Sequence, residues 1–184
     1  NLAYQNAKNK HAACFLHRAQ IYKLFRFILV DKIIRARYVE YIGNQAKRAC
    51  LKKDGTIMRV LAVGCHPDDL EIACSGTLRK YVEQGADVYM CHVANGDQGH
   101  VIIEPGPLGK IREKEAENAG KYIGAKEVFN INVSDMQVNR HDQAQIDAVA
   151  DVVRYARPDV IITHNDVDYM QDHVETSHLA TNGA

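Results

Sequence analysis

From residue 58 onward, short runs of consecutive apolar residues alternate with longer stretches in which apolar positions recur every three or four residues. The first run, Arg59-Val60-Leu61-Ala62-Val63-Gly64, has the continuous apolar character of a strand buried on both faces. Residues 69–84 then carry Leu70, Ile72, Ala73, Leu78, Tyr81 and Val82 at helical spacing, with Gly85 as the stop. The pattern predicts a second strand over 87–94, a helix rich in Glu, Lys and Ala over 110–123, and a third strand over 127–131. A third helix over 144–156 ends ahead of Pro158. Residues 159–164 form a β-branched fourth strand, expected to be central and buried on both faces, and a last helix begins at about His173. Strands and helices in this alternation predict an α/β fold: a Rossmann-like, mostly parallel sheet with flanking helices.

Residues 1–57 do not follow this pattern. They carry 12 Lys and Arg against 3 Asp and Glu, whereas residues 58–184 carry 11 against 20. The two parts are therefore expected to differ in role or origin, with a basic helical extension over 1–57 and the α/β domain over 58–184. Residues 21–42 contain an apolar stretch interrupted by charges, too short and too charged to span a bilayer. A peripheral membrane contact through these residues is one expectation; an extension with no part in the chemistry, or foreign to the natural protein, is the other and is favoured. The last residues, Thr181-Asn182-Gly183-Ala184, read as a truncation of the final helix region.

Five cysteines without regular spacing give no disulfide framework and no thiolate zinc site, which fits a reducing, cytoplasmic setting. The negative charge of residues 58–184 argues against nucleic acid as a partner. The sequence assigns no oligomeric state.

The chemistry concentrates at strand ends. In an open α/β sheet, ligands bind beyond the carboxyl ends of the strands. There the first strand delivers His66-Pro67-Asp68-Asp69. His66 and Asp69, three residues apart across a strand-to-helix turn, can face one space. His173, beyond the fourth strand, is the candidate third ligand. Two imidazoles and a carboxylate are a donor set for catalytic zinc, which takes three protein ligands and keeps a fourth position open. Asp68 can then serve as general base toward a zinc-activated water, and Asp172 can orient a ligand imidazole from behind. Each residue also has a plainer reading: Asp68 and Asp69 as helix caps, His66 as a structural histidine. Asn95 and Asp97, at the end of the second strand, either line the pocket or make the turn.

Cys65-His66-Pro67-Asp68-Asp69-Leu70-Glu71 resembles the HPDDxE motif of the LmbE/PIG-L-like zinc-dependent N-deacetylases, and Tyr169-Met170-Gln171-Asp172-His173 resembles their second motif, HPDH. Ala94-Asn95-Gly96-Asp97 and the Arg112 helix start also match, and the likeness covers about residues 58–184. It implies hydrolysis of the N-acetyl group of an N-acetylglucosamine-containing small molecule or glycoconjugate. One Zn2+, or another divalent metal, would be held by His66, Asp69 and His173, with Asp68 as general base. Arg112 would contact substrate hydroxyl or phosphate groups; its plainer reading is an ion-paired helix arginine. Asn95 and Asp97 would be further substrate contacts, with Asp172 behind the ligands.

Three positions depart from the motifs. Met170 stands where the first histidine of HPDH would supply an acid, which leaves that role to Asp68 itself or to His164, Asp166 or Asp168. Gln171 replaces the proline, and Cys65 replaces the usual alanine. With Met170 in mind, the alternative function is a non-catalytic metal- or sugar-binding α/β module. A dinucleotide-binding oxidoreductase is disfavoured, because the first strand leads into two carboxylates instead of a glycine-rich turn.

Overall fold

A computed structural model describes residues 50–52 and 54–183, all within the unit Gln45–Ala184. The expectation of a membrane-contacting helix at residues 21–42 lies outside the described residues. Among those described, no helix is long and apolar enough to cross a membrane.

Four strands, β1 (Arg59–Gly64), β2 (Asp87–Ala94), β3 (Glu127–Val133) and β4 (Val160–Thr163), form one sheet in the order β3-β2-β1-β4, with every pairing parallel. The helices are α1 (Asp69–Ala73), α2 (Ser75–Glu83), α3 (Pro105–Ile123), α4 (Gln143–Ala156) and α5 (Gln171–Asn182). The sheet is parallel because each connection between strands contains a helix long enough to cross over.

The central strands are buried on both faces, and their side chains still divide by parity. Leu61, Val63, Tyr89, Cys91 and Val93 pack with Val149, Val152 and Ala156 of α4 and with Leu179 and Ala180 of α5. Val60, Ala62, Val88 and Met90 pack on the other face with Leu70, Leu78 and Ile123. Fully burying a side chain of the size of Val or Leu stabilises by about 1.5–3 kcal/mol, so these two layers are the main source of the fold's stability. His92 shares the second face, fully buried, with Glu71 Oε2 3.6 Å from its Nε2.

Several boundaries differ from the sequence expectation. The domain begins before residue 58: Cys50 is buried against the second face, Leu51 bridges Ile57, and Lys52 pairs with Asp159 at 2.8 Å. The predicted helix 69–84 is broken at Cys74 into α1 and α2. α3 starts five residues early, at Pro105, because the first N–H groups of a helix have no intrahelical acceptor and proline loses nothing there. β4 is not central. Among the described residues it pairs only with β1, and its side chains are half-buried.

Parallel register sets up the site. Val63 lies opposite Thr163, so the residues after β1 and β4 leave the sheet side by side. The turn after β2 is fastened to the end of β3 by the Asn95 N–H, which donates to the Val133 carbonyl at 2.8 Å.

Candidate active site

Four chain segments meet at this carboxyl edge: the β1–α1 turn, the loop after β2, the segment after β3, and the β4–α5 connection. They enclose a cavity of about 690 Å3. His66, Asp68, Asp69, Arg112, Asp172 and His173 are all among its lining residues.

Asp69 is the centre of the charged group. Its Oδ2 lies 3.4 Å from His66 Nδ1, 3.3 Å from His164 Nε2 and 3.4 Å from His173 Nε2, and it accepts the His66 backbone N–H at 2.7 Å. Burial opposes ionisation of this carboxyl, but the surrounding imidazoles and the His66 N–H outweigh it and hold its pKa far below the usual carboxylate range. Burial likewise opposes charge on His66. Asp69 and Cys65 reverse that effect and raise the imidazole to about 11.

The imidazoles are backed by further carboxylates. Asp172 Oδ2 lies 3.4 Å from His66 Nε2 and accepts the Met136 N–H at 2.6 Å. Asp168 Oδ2 lies 3.3 Å from His173 Nδ1, and its pKa is lowered first by the Met170 N–H and then by His173. Carboxylates behind imidazoles are the arrangement that orients histidines toward a metal. Buried His173 Nε2, by contrast, has no hydrogen-bond partner among the described residues.

Two groupings bring every donor atom within 4.8 Å of the others: Asp69–His164–His173 and Cys65–His66–Asp69. Asp69 belongs to both. The expected trio of His66, Asp69 and His173 is not itself one of these groupings: each imidazole lies 3.4 Å from Asp69 Oδ2, but the His66 and His173 rings are 5.4 Å apart between centroids, and His164 stands with Asp69 and His173 instead. The nitrogen and oxygen donors, together with the orphaned His173 Nε2, fit a divalent ion such as zinc.

Asp68 is half-exposed, and its Oδ2 accepts from Arg112 Nη2 at 2.5 Å. The same guanidinium donates to the Pro67 carbonyl and, through Nη1, to Glu115 at 2.9 Å. Gly96 makes this approach possible. Its φ is +72°, and a Cβ there would meet Arg112 Cγ at 3.1 Å and Pro67 Cδ at 3.2 Å.

Asn95 and Asp97 are not among the cavity-lining residues. Asn95 Oδ1 accepts the Asp97 N–H at 3.1 Å, and buried Asp97 accepts from Ser134 Oγ at 2.8 Å and from the Asp135 N–H at 3.0 Å. These two side chains make the turn and tie it to the segment after β3. The neighbours Gly96 and Gln98 line the cavity in their place, and Asp135 accepts the backbone N–H of both, at 2.8 and 3.1 Å. Asp135 thus ties the loop after β2 to the segment after β3. Met170 occupies the N-cap of α5 and reaches the lining, while Asp166 does not. His164 enters the group although the motifs gave it only a substitute role. The register of β4 against β1 brings it there, beside Cys65.

The profile of the family described as "PIG-L: GlcNAc-PI de-N-acetylase" matches residues 61–184. A deacetylase of Escherichia coli, YaiS, described as uncharacterized, is 29% identical over 121 residues, covering 62% of each chain. A 1D-myo-inositol 2-acetamido-2-deoxy-alpha-D-glucopyranoside deacetylase of Thermobifida fusca is 28% identical over 134 residues, covering 59% of this chain and 47% of that one. Among solved structures, the N,N'-diacetylchitobiose deacetylase of Pyrococcus horikoshii superposes with a TM-score of 0.63 at 25% identity, over 67% of this chain and 48% of its own. The chain thus spans about half to three-fifths of the length of these relatives.

Proposed function

The chain belongs to the PIG-L family, and from that membership we propose that it is a metal-dependent N-deacetylase acting on a small N-acetylglucosamine-containing substrate. The observation that carries the reading is the convergence of three imidazoles on Asp69 beside a cavity large enough for a sugar, with an acid and an arginine on its wall. The deacetylase descriptions of the matched relatives support the reaction class.

His66, Asp69 and His173 would hold the ion. A zinc ion bound there supplies a Lewis acid that polarises the amide carbonyl and makes a water acidic near neutral pH. The chain's own residues then divide the remaining work. Asp68 takes a proton from the attacking water as its oxygen adds to the acetyl carbon. The same carboxyl returns that proton to the departing amine nitrogen as the C–N bond breaks, releasing acetate and the free amino sugar.

Asp68 takes both roles because the other candidates are engaged elsewhere. The Met170 thioether carries no proton. His164 Nε2 accepts the Cys65 N–H at 2.9 Å, Asp168 sits on His173 Nδ1, and Asp166 is outside the lining. Arg112 holds the Asp68 carboxylate over the cavity, and its remaining N–H groups can meet hydroxyl or phosphate oxygens of the substrate.

The test is acetate release from a panel of N-acetylglucosaminyl compounds, with metal content measured in parallel. Turnover that disappears on chelation and returns with zinc supports the proposal. Zinc uptake without acetate from any compound would reduce the protein to a metal- or sugar-binding module.

A further inference from the structure

Three imidazoles meet Asp69, and the proposed ligand set uses two of them. The third, His164, is held from several sides. Its Nε2 accepts the backbone N–H of Cys65 at 2.9 Å. Asp69 Oδ2 lies 3.3 Å from that same Nε2. The ring lies flat on His173, with centroids 4.1 Å apart and planes at 16°. Its main-chain carbonyl accepts from Ser177 Oγ of α5 at 2.8 Å.

One side chain therefore touches both the Gly64–Cys65 peptide, one residue ahead of His66, and the ring of His173. We propose that His164 is a positioning residue for the metal ligands, an inference that rests on the reading of the preceding subsection. The hydrogen bond fixes the rotation of the Gly64–Cys65 peptide, one residue ahead of His66, and so the course of the backbone into that ligand. The stack fixes the plane of the His173 ring. Because β1 and β4 are parallel and Val63 pairs with Thr163, His164 leaves β4 beside Gly64 and Cys65 at the end of the neighbouring strand.

The experiment compares the parent chain with His164→Ala, His164→Gln and His164→Phe. Glutamine keeps an acceptor near the reach of Nε2, phenylalanine keeps the stacking face, and alanine keeps neither. The readouts are zinc affinity in competition with a chromogenic chelator and the visible absorption of the Co2+-loaded forms. Outer contacts of metal-binding histidines typically contribute about 10–100-fold in metal affinity. His164→Ala is expected to lose affinity in that range, while Gln and Phe each recover part of it. The Co2+ band of His164→Gln should match the parent, since the ligands are unchanged. Equal affinity in parent and all three variants overturns the proposal. So does a Co2+ band lost in His164→Gln as fully as in His66→Ala, which makes His164 a ligand itself. A parent chain that takes up no metal overturns the metal reading as well, so the two failures are distinguishable. Should His164→Ala fail to fold by circular dichroism, the Gln and Phe variants decide.

Discussion

Glu175 is two residues beyond His173 on α5, and the structure makes its removal a quantitative experiment. The carboxylate accepts four N–H groups: Arg140 N at 2.8 Å, Arg140 Nε at 2.9 Å, Arg140 Nη2 at 2.8 Å and Gln171 Nε2 at 2.6 Å. Only 8% of the residue is exposed. Arg140 lowers its pKa from 4.5 to about 2, against the opposing effect of burial and with help from Gln171. In Glu175→Gln the single amide oxygen can serve at most two of these donors, and Arg140 keeps an unpaired charge. A pKa difference near 2.5 units corresponds to roughly 3 kcal/mol at neutral pH. That agrees with the 3–5 kcal/mol typical of breaking a buried pair, reduced here because the Arg140 side chain is 24% exposed. For a domain of this size, 3 kcal/mol lowers Tm by roughly 6–12 °C.

The pH dependence gives the experiment its sign. Folding makes Glu175 harder to protonate, so its contribution is complete above about 4.5 and is lost as pH falls toward about 2. Thermal melts followed by circular dichroism at pH 7, 4 and 2.5 should show the gap between parent and Glu175→Gln closing across that window. A gap under 2 °C at pH 7 refutes the reasoning, as does one equally wide at pH 2.5.

Two further outcomes follow from single contacts. Asp68→Asn should leave zinc content unchanged and lower kcat for acetate release by about 10²–10⁴-fold; activity within tenfold of the parent removes Asp68 as the proton carrier. Gly120→Ala would drive a Cβ into Val128 Cγ2, in the contact between α3 and β3. Such overpacking costs about 1–3 kcal/mol, read as a lower urea midpoint at constant m, and an unchanged midpoint contradicts the described packing.

The fold was legible wherever a local pattern decides the outcome. β1 and β2 lie between two helical layers, so their apolar runs were unambiguous. Gly85 and Gly124 marked real ends because both take positive φ. β4 was misplaced for the complementary reason. Val160-Ile161-Ile162 reads like an interior strand, but which strands flank it is settled by pairing with residues a hundred positions away. Gly106 and Pro107 looked like loop punctuation, yet both lie in the first turn of α3, where their usual helix penalties hardly apply.

The site divides along the same line. His66, Asp68 and Asp69 stand within one turn, so their shared location could be read from spacing alone. Asn95 and Asp97 are as polar and as close to a strand end, and they face elsewhere. In the β2 turn the backbone groups at Gly96 and Gln98 reach across to Asp135, which leaves the side chains on either side of Gly96 to hold the turn together. No sequence pattern separates those two outcomes, because the partner, Asp135, comes from a different strand connection. His164 was under-read for an equivalent reason. Nothing in Thr163-His164-Asn165 differs from an ordinary strand end until the register of β1 against β4 sets His164 beside Cys65. The residues that carry chemistry could be found from a motif; the residues that aim them depend on the parallel pairing, and only three dimensions show it.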